Sequence, residues 1–388
     1  MEVPIYLDYN ATTPVDPRVR AAMLPYLGDQ YGNPSSSHVF GRSAWAAVER
    51  ARRQVAGLLG CAPEEVLFTS GGSESDNLAI QGIAFASRTR GRHIITSTIE
   101  HPAVLNTCRY LAEQHGFDVS YVNVDGGGRV DPEAVRRAIR PDTLLISIMH
   151  ANNETGTIQP IEEIGGLARE TGIPFHTDAS QSVGKIPTRV PDVGVDLLTI
   201  AGHKLYAPKG IGALYVRGGI DLQPIICGGG QERGLRAGTE SVPYVVALGE
   251  ACEVASDLLF EEGKRERWLR DRLHSILAEE LDGVRLNGHP DARLPNTLNL
   301  SFQGVIGSDL LDAVPEVAFS TGSACHAGST DPSPVLSQLG LSTDVALGAV
   351  RLSLGRYTAE AEVDEAARHL VRGVRALRRR SGNQMMGP

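Results

Sequence analysis

Seven short runs of strand-forming residues, several of them apolar at consecutive positions and not only at alternate ones, constrain this chain more than any other feature. They are EVLFTS (65–70), HIITSTI (93–99), DVSYVNV (118–124), TLLISIMH (143–150), PFHTDA (174–179), DLLTIAG (196–202) and GALYVRG (212–218). A strand with no polar face needs cover on both sides, as in a parallel sheet lying between helical layers. Helical patterns fill the intervals: SAWAAVERARRQVAGLL (43–59), AVLNTCRYLAEQHG (103–116), PEAVRRAI (132–139) and IEEIGGLARETG (161–172). This repetition predicts an α/β fold, a mostly parallel central sheet with helices on both faces and crossover connections.

Beyond about residue 255 the texture changes. A charged helix, DLLFEEGKRERWLRDRLHSILAEEL (257–281), leads to RLPNTLNLSF (293–302), a Gly-, Pro- and Ser-rich stretch near 320–334, and a final helix, EVDEAARHLVRGVRALRRR (362–380). These predict a smaller α+β domain, with residues 13–255 forming the large domain and 1–12 plus 256–388 the small one. The tail GNQMMGP (382–388) is expected to fray. A length of 388 residues already exceeds what one compact core accommodates.

Charge and cysteine usage exclude several functions. A net charge of −9 argues against non-specific nucleic-acid binding. The start, MEVPIYLDYN, carries no basic segment followed by an apolar one, and no run of eighteen uncharged apolar residues occurs, so a cytoplasmic protein without membrane contact is expected. Cysteines 61, 108, 227, 252 and 325 are scattered without a CxxC pair, which supports neither a disulfide framework nor a zinc site.

Three stretches carry chemistry. In TSGGSESDNLAIQG (69–82), Gly71 and Gly72 permit close backbone approach, and Ser73 offers a hydroxyl at the start of a helix whose N–H groups can face a phosphate. The bland alternative is a turn with an N-cap. In FHTDASQSVGK (175–185), Asp178 ends a buried-looking strand, where open α/β sheets bind ligands. Buried, it needs a cationic partner such as a protonated pyridine nitrogen, or else it merely caps the next turn. In TIAGHKLY (199–206), Lys204 follows the next strand and therefore emerges on the same edge as Asp178. A desolvated lysine there can lose its proton and attack an aldehyde, and His203 can join the glycine turn around a phosphate. Phosphate, ring nitrogen and aldehyde are the handles of pyridoxal 5′-phosphate.

The ordered motifs YLDYNATTP (6–14), YGNPSSSH (31–38), TSGGSESDNLAI (69–80), EHPAV (100–104), ANNETG (151–156), HTDASQSVGK (176–185), GHKLYAPKGIGALY (202–215), GGGQERGLRAGTE (228–240), GSACHAG (322–328) and RLSLGRYT (351–358) run almost end to end. In them the chain resembles the NifS/IscS-type cysteine desulfurases, class V aminotransferases of the fold-type I pyridoxal-phosphate enzymes. The resemblance implies that Lys204 bonds the cofactor aldehyde and later moves the substrate Cα proton. It implies that Asp178 holds the pyridine nitrogen, that Gln181 and Asn152 lie on the phenolic-oxygen side, and that His101 stacks on the ring face and assists proton transfer. Gly72, Ser73, His203 and, from a neighbouring subunit, Thr239 hold the phosphate, so a homodimer with composite sites is implied. Arg351 is implied as the anchor for the substrate carboxylate, with Arg356 the competing choice, and Asn33 helps to hold the same substrate. No metal is implied.

Cys325 is the implied sulfur acceptor. It lies among small residues, glycines and prolines that suit an exposed loop, with His326 beside it to favour the thiolate. The other four cysteines read as inert buried hydrophobes. The implied reaction converts L-cysteine to L-alanine, leaves a persulfide on Cys325, and passes its sulfur to an acceptor such as an iron–sulfur scaffold protein or a tRNA-thiolation pathway. Two alternatives stay open: a selenocysteine lyase, to which CHAG, ANNETG and LTIAGHK are similar, and a non-catalytic scaffold of the same fold. Ala201 stands where many of these enzymes carry a phosphate-binding serine.

Overall fold

A computed structural model describes residues 3–321 and 331–384. Its central sheet contains seven strands: β1 (Val66–Thr69), β2 (His93–Ser97), β3 (Asp118–Val122), β4 (Thr143–Ser147), β5 (Phe175–Asp178), β6 (Leu197–Ala201) and β7 (Gly212–Val216). Their spatial order is β1-β7-β6-β5-β4-β2-β3. The pairs β2–β3, β2–β4, β4–β5 and β5–β6 are parallel, whereas β7 runs antiparallel to both of its neighbours. The sheet is thus mostly parallel, with one reversed strand that the apolar pattern did not distinguish from the others.

The continuous apolar runs have a direct structural counterpart. Side chains alternate faces along a strand, and here the two faces enter two different cores. Val66, Phe68, Ile146, Phe175, Leu198 and Ile200 pack on one side. Leu67, Ile94, Leu145, Leu197 and Leu214 pack on the other. Helix α1 (Val39–Leu59) covers the first face through Val48, Val55 and Leu59. Helices α2 (Gly72–Ser87) and α3 (Pro102–His115) cover the second through Leu78, Ile80, Val104 and Leu111. Strand β3 is an edge, and Val122 is its one fully buried residue, as befits a strand covered on one side only.

A second, four-stranded sheet is antiparallel. It is built from β8 (Val284–Leu286), β9 (Thr297–Phe302), β10 (Ser320–Thr321) and β11 (Ala349–Ser353), in the order β10-β11-β9-β8. Its core contains Leu298, Leu300, Phe302 and Leu352 and is separate from the other two. Helix α4 (Val242–Glu280) bridges them, with Val245, Leu248 and Cys252 in the first core and Leu269, Leu273 and Leu277 in the third. It begins fifteen residues before the charged segment read from sequence, because the residues before 257 are mostly buried and apolar and carry little of the charged pattern. Helix α5 (Glu360–Gln384) likewise continues through Gly382, so the expected fraying does not begin there. Arg378 fastens its end by donating to the carbonyls of Gln303 and Asp282 at 2.9 Å each. Among the described residues no helix is long and apolar enough to cross a membrane.

Candidate active site

The turns after β1, β2, β4, β5 and β6 all open at the C-terminal edge of the parallel strands, the customary ligand edge of such sheets. Asp178 is the last residue of β5, buried, and its Oδ1 accepts from the Ser180 amide at 2.9 Å. Lys204 closes a tight turn, Gly202–Lys204, immediately after β6. A side chain at Gly202 would meet the Ile211 carbonyl at 2.8 Å, so only glycine lets the strand turn here. The Lys204 ammonium donates to the carbonyls of Ala11, at 2.7 Å, and Asn10. Burial, reinforced by the Arg351 charge and opposed by Asp8 and Asp178, lowers its pKa to about 8.

His101 is the N-cap of α3. Its Nδ1 accepts from the Ala103 amide at 3.1 Å, which assigns the proton of the neutral ring to Nε2. Partial desolvation of the ring by the walls of the cleft, eased by Asp178 and augmented by Lys204, lowers its pKa. Ligand atoms of His101, Asp178 and Asp76 all lie within 4.8 Å of one another. Asp76, on α2, is buried and its Oδ1 has no hydrogen-bond partner. Burial first, and then Asp178, push its carboxyl well above the ordinary range. Two carboxyls and an imidazole facing one point can receive a cation, whether a metal ion or the N–H⁺ of a pyridinium ring.

Beside this cluster lies the start of α2. Its N-cap, Gly71, supplies no side-chain cap, so the first-turn amides keep their anion-binding capacity. Glu74 in that turn faces away to Arg236, at 2.8 Å. A Cβ on Gly72 would lie 3.0 Å from Ser180 Oγ and 3.2 Å from Ala201 Cβ, so these two residues wall the turn. Ala201 therefore faces the cradle without a hydroxyl, and Ser180 brings one to the same place. Sequence reading passed over Ser180, although HTDASQSVGK contains it. Exposed Ser73 and His101 line an open cleft of about 630 Å³ with Asn77, Gln81, Thr107 and Tyr110. His203 Nδ1 is 3.1 Å from Thr12 Oγ1, and burial followed by Lys204 lowers its pKa to about 4. At neutral pH it therefore offers a hydrogen bond and not a charge.

Two amides are already engaged. Asn152 donates to the Ile99 carbonyl at 3.1 Å and its Oδ1 accepts from the amides of Glu154 and Thr155. Gln181 donates to the Asn10 carbonyl at 3.0 Å and accepts from Lys185 Nζ at 3.1 Å. Lys185 also donates to Asn10 Oδ1, and burial pulls its pKa down. Asn10 thus joins Lys204, Lys185 and Gln181. Its part, played largely by a backbone carbonyl, leaves no signature in residue types.

The two arginines differ. Arg356 is consumed: it pairs with Asp16 at 2.7 Å and Glu262 at 2.5 Å and lies 4.2 Å from the Tyr206 ring centroid. Arg351 Nη2 donates to Asp8 Oδ1 at 2.7 Å and Ser320 Oγ at 2.8 Å, and Nη1 donates to the Asn153 carbonyl at 3.0 Å. Its buried Nε has no partner. Asn33 and Thr239 are exposed and absent from the cleft at Ser73 and His101. Their chain neighbours Pro34 and Glu240 instead line another cavity of about 500 Å³ with Trp45 and Glu232. Cys325 lies outside the described residues. Ser333, just beyond that segment, donates to Glu154 Oε2 at 2.5 Å. Cys108 and Cys252 are buried and Cys61 half-buried, but Cys227 is exposed, contrary to the sequence expectation, because residues 223–230 form neither helix nor strand.

Comparison with known proteins places this geometry. Residues 5–366 match the aminotransferase class-V family model. The cysteine desulfurase IscS of Anaeromyxobacter dehalogenans is 50% identical over 98% of this chain and 95% of its own length. The human cysteine desulfurase is 47% identical over 97% of this chain and 83% of its own length. A solved NifS-like protein superposes with a TM-score of 0.90 at 40% identity, covering 95% of this chain and 99% of that one. The structure of SspA in complex with cysteine gives 0.81 at 43% identity, covering 91% and 99%.

Proposed function

Since the chain belongs to the class-V aminotransferase family and is a cysteine desulfurase, we propose that it binds pyridoxal 5′-phosphate through Lys204 and moves the sulfur of L-cysteine onto Cys325. The observation that carries this reading is the amine of Lys204, held by two carbonyls beside Asp178 and His101 and lowered to about 8. When bound, the cofactor supplies an electron sink for the bond at the substrate Cα.

The rest of the division of labour concerns this chain's own groups. Asp178 would face the ring nitrogen, a role supported by its burial and by the neighbouring Asp76 and His101. Gly72, Ser73 and His203 would hold the phosphate, supported by the uncapped start of α2 and the wall formed by Ser180 and Ala201. Asn152 and Gln181 would border the phenolic oxygen, Gln181 by exchanging its bond to Asn10. His101 would cover the ring face, its Nε2 proton directed by the cap at Nδ1. Lys204, free as an amine, would carry the Cα proton. Arg351, supported by its unpaired Nε, would receive the substrate carboxylate, with Asn33 assisting. The Cys325 thiolate attacks the substrate sulfur, the carbon–sulfur bond breaks, and carbon takes a proton. The products are L-alanine and a persulfide on Cys325, whose outer sulfur passes to an acceptor thiol, such as one on an iron–sulfur scaffold protein, with the Cys325 thiolate as the leaving group.

A homodimer, with Thr239 completing the phosphate site of the other copy, belongs to the same reading. So does the division into a large part, 13–255, and a small part carrying Cys325, supported by the separate sheets and cores. The test is alanine release from L-cysteine and from L-selenocysteine, with Cys325→Ala run alongside. L-cysteine turnover is expected, and the variant is expected to keep the cofactor but lose persulfide formation. Selenocysteine turnover with none on L-cysteine, or unchanged sulfur transfer by the variant, would contradict the reading.

A further inference from the structure

The guanidinium of Arg351 is not vacant. A carboxylate can pair with two guanidinium nitrogens along either of two edges, Nε with Nη2 or Nη1 with Nη2. Both edges use Nη2. That atom already donates to Asp8 Oδ1 at 2.7 Å and Ser320 Oγ at 2.8 Å, while Ser320 Oγ itself donates to Asp8 Oδ1 at 2.8 Å. The triangle is well shielded, since the side chains of Arg351 and Asp8 are only 10% and 18% exposed. It is also fixed by backbone, because Ser320 sits opposite Arg351 in the β10–β11 register and Asp8 bridges Ser353 of β11. The other charged groups acting on this place are Lys204, Lys185 and Glu154. Glu154 is engaged with Ser333 and both lysines with Asn10, so Asp8 is the carboxylate paired with Arg351.

We propose that Asp8 is a resident rival for the substrate carboxylate: an incoming amino acid gains Arg351 only by displacing Asp8 from Nη2. The proposal rests on Arg351 being the carboxylate anchor. Asp8 then sets the affinity and selectivity of the site. An amine without a carboxylate leaves the Asp8–Arg351–Ser320 triangle intact, whereas an α-amino acid exchanges one carboxylate for another and gains less than an open arginine would give. Neutralising Asp8 removes the rival and retains its shape and its hydrogen-bonding oxygen.

The test is equilibrium binding to the cofactor-loaded enzyme, followed by cofactor absorbance at fixed pH, with L-alanine and ethylamine as probes. Both amines report on Lys204 equally, so their ratio isolates the carboxylate. Asp8 also acts on Lys204, but that effect falls on both amines alike, so Asp8→Asn is expected to tighten L-alanine about tenfold relative to ethylamine, an order of magnitude typical of a lost charged competitor. Ser320→Ala, which removes one hold on Asp8 without touching its charge, should tighten L-alanine by a smaller factor. It also decides the matter if the first variant does not fold. An unchanged or smaller preference for L-alanine over ethylamine in these variants, with Arg351→Ala erasing that preference, overturns the rivalry and makes Asp8 a support for Arg351. If Arg351→Ala keeps the preference, the anchor assignment itself fails.

Discussion

At Lys204 the chemistry depends on a proton. An ordinary lysine titrates near 10.5, and here burial and the Arg351 charge bring the value to about 8. A lowered value means that the reactive amine appears as pH rises through about 8 and is lost below it. In protein freed of cofactor, acylation of Lys204 followed by mass spectrometry should show a midpoint near pH 8, and a midpoint close to 10 would contradict the environment described here. The residue types at this edge were legible in the sequence because Asp178, Lys204 and the Gly71–Gly72 turn each follow a strand. What the sequence hid were groups whose parts depend on three-dimensional proximity. Asn10 acts largely through a carbonyl, Ser180 fills the place opposite Ala201, and Asp8 occupies Arg351 from more than three hundred residues away.

Elements are held in place by a few buried polar joints as well as by apolar burial. The most concentrated lies between α1, β1 and the 231–234 turn. Arg52 gives both terminal nitrogens to Glu232, at 2.8 and 2.7 Å, and the same carboxylate accepts the Phe68 amide at 2.9 Å. Glu232 reaches it from a left-handed backbone, φ 44°, that an L-residue adopts at a cost. Glu232→Ala would leave the buried Arg52 guanidinium with Glu49, at 3.0 Å, as its remaining carboxylate and would unpair the Phe68 amide, so denaturant titration should report a loss of about 3 kcal/mol. A loss below about 1 kcal/mol would mean that water replaces the carboxylate freely. Periodicity revealed strands and helices because two-faced burial demands continuous apolar runs. It missed the reversal of β7, since antiparallel and parallel buried strands share that composition, and it began α4 only at 257, where the helix passes from the first core toward the third.

At the scale of the whole molecule, Thr239 is exposed and is not among the described residues that line the cleft at Ser73 and His101. If Thr239 serves the other copy, mixing Lys204→Ala and Thr239→Ala chains creates one intact site per hybrid dimer, so the isolated hybrid binds cofactor tightly at one of its two sites. If each threonine serves its own chain, no hybrid site is intact and tight binding is absent. Fold class was legible because it follows from patterning over hundreds of residues, while sharing between copies follows from surfaces that patterning does not describe. The whole account turns on which amine condenses with the cofactor aldehyde, and the fold offers a nearby rival in Lys185, which is also buried and shares Asn10. Borohydride reduction of the cofactor-loaded protein, followed by peptide mapping, decides between them. The cofactor is expected on Lys204 alone; its recovery on Lys185, or on no lysine, would contradict the account.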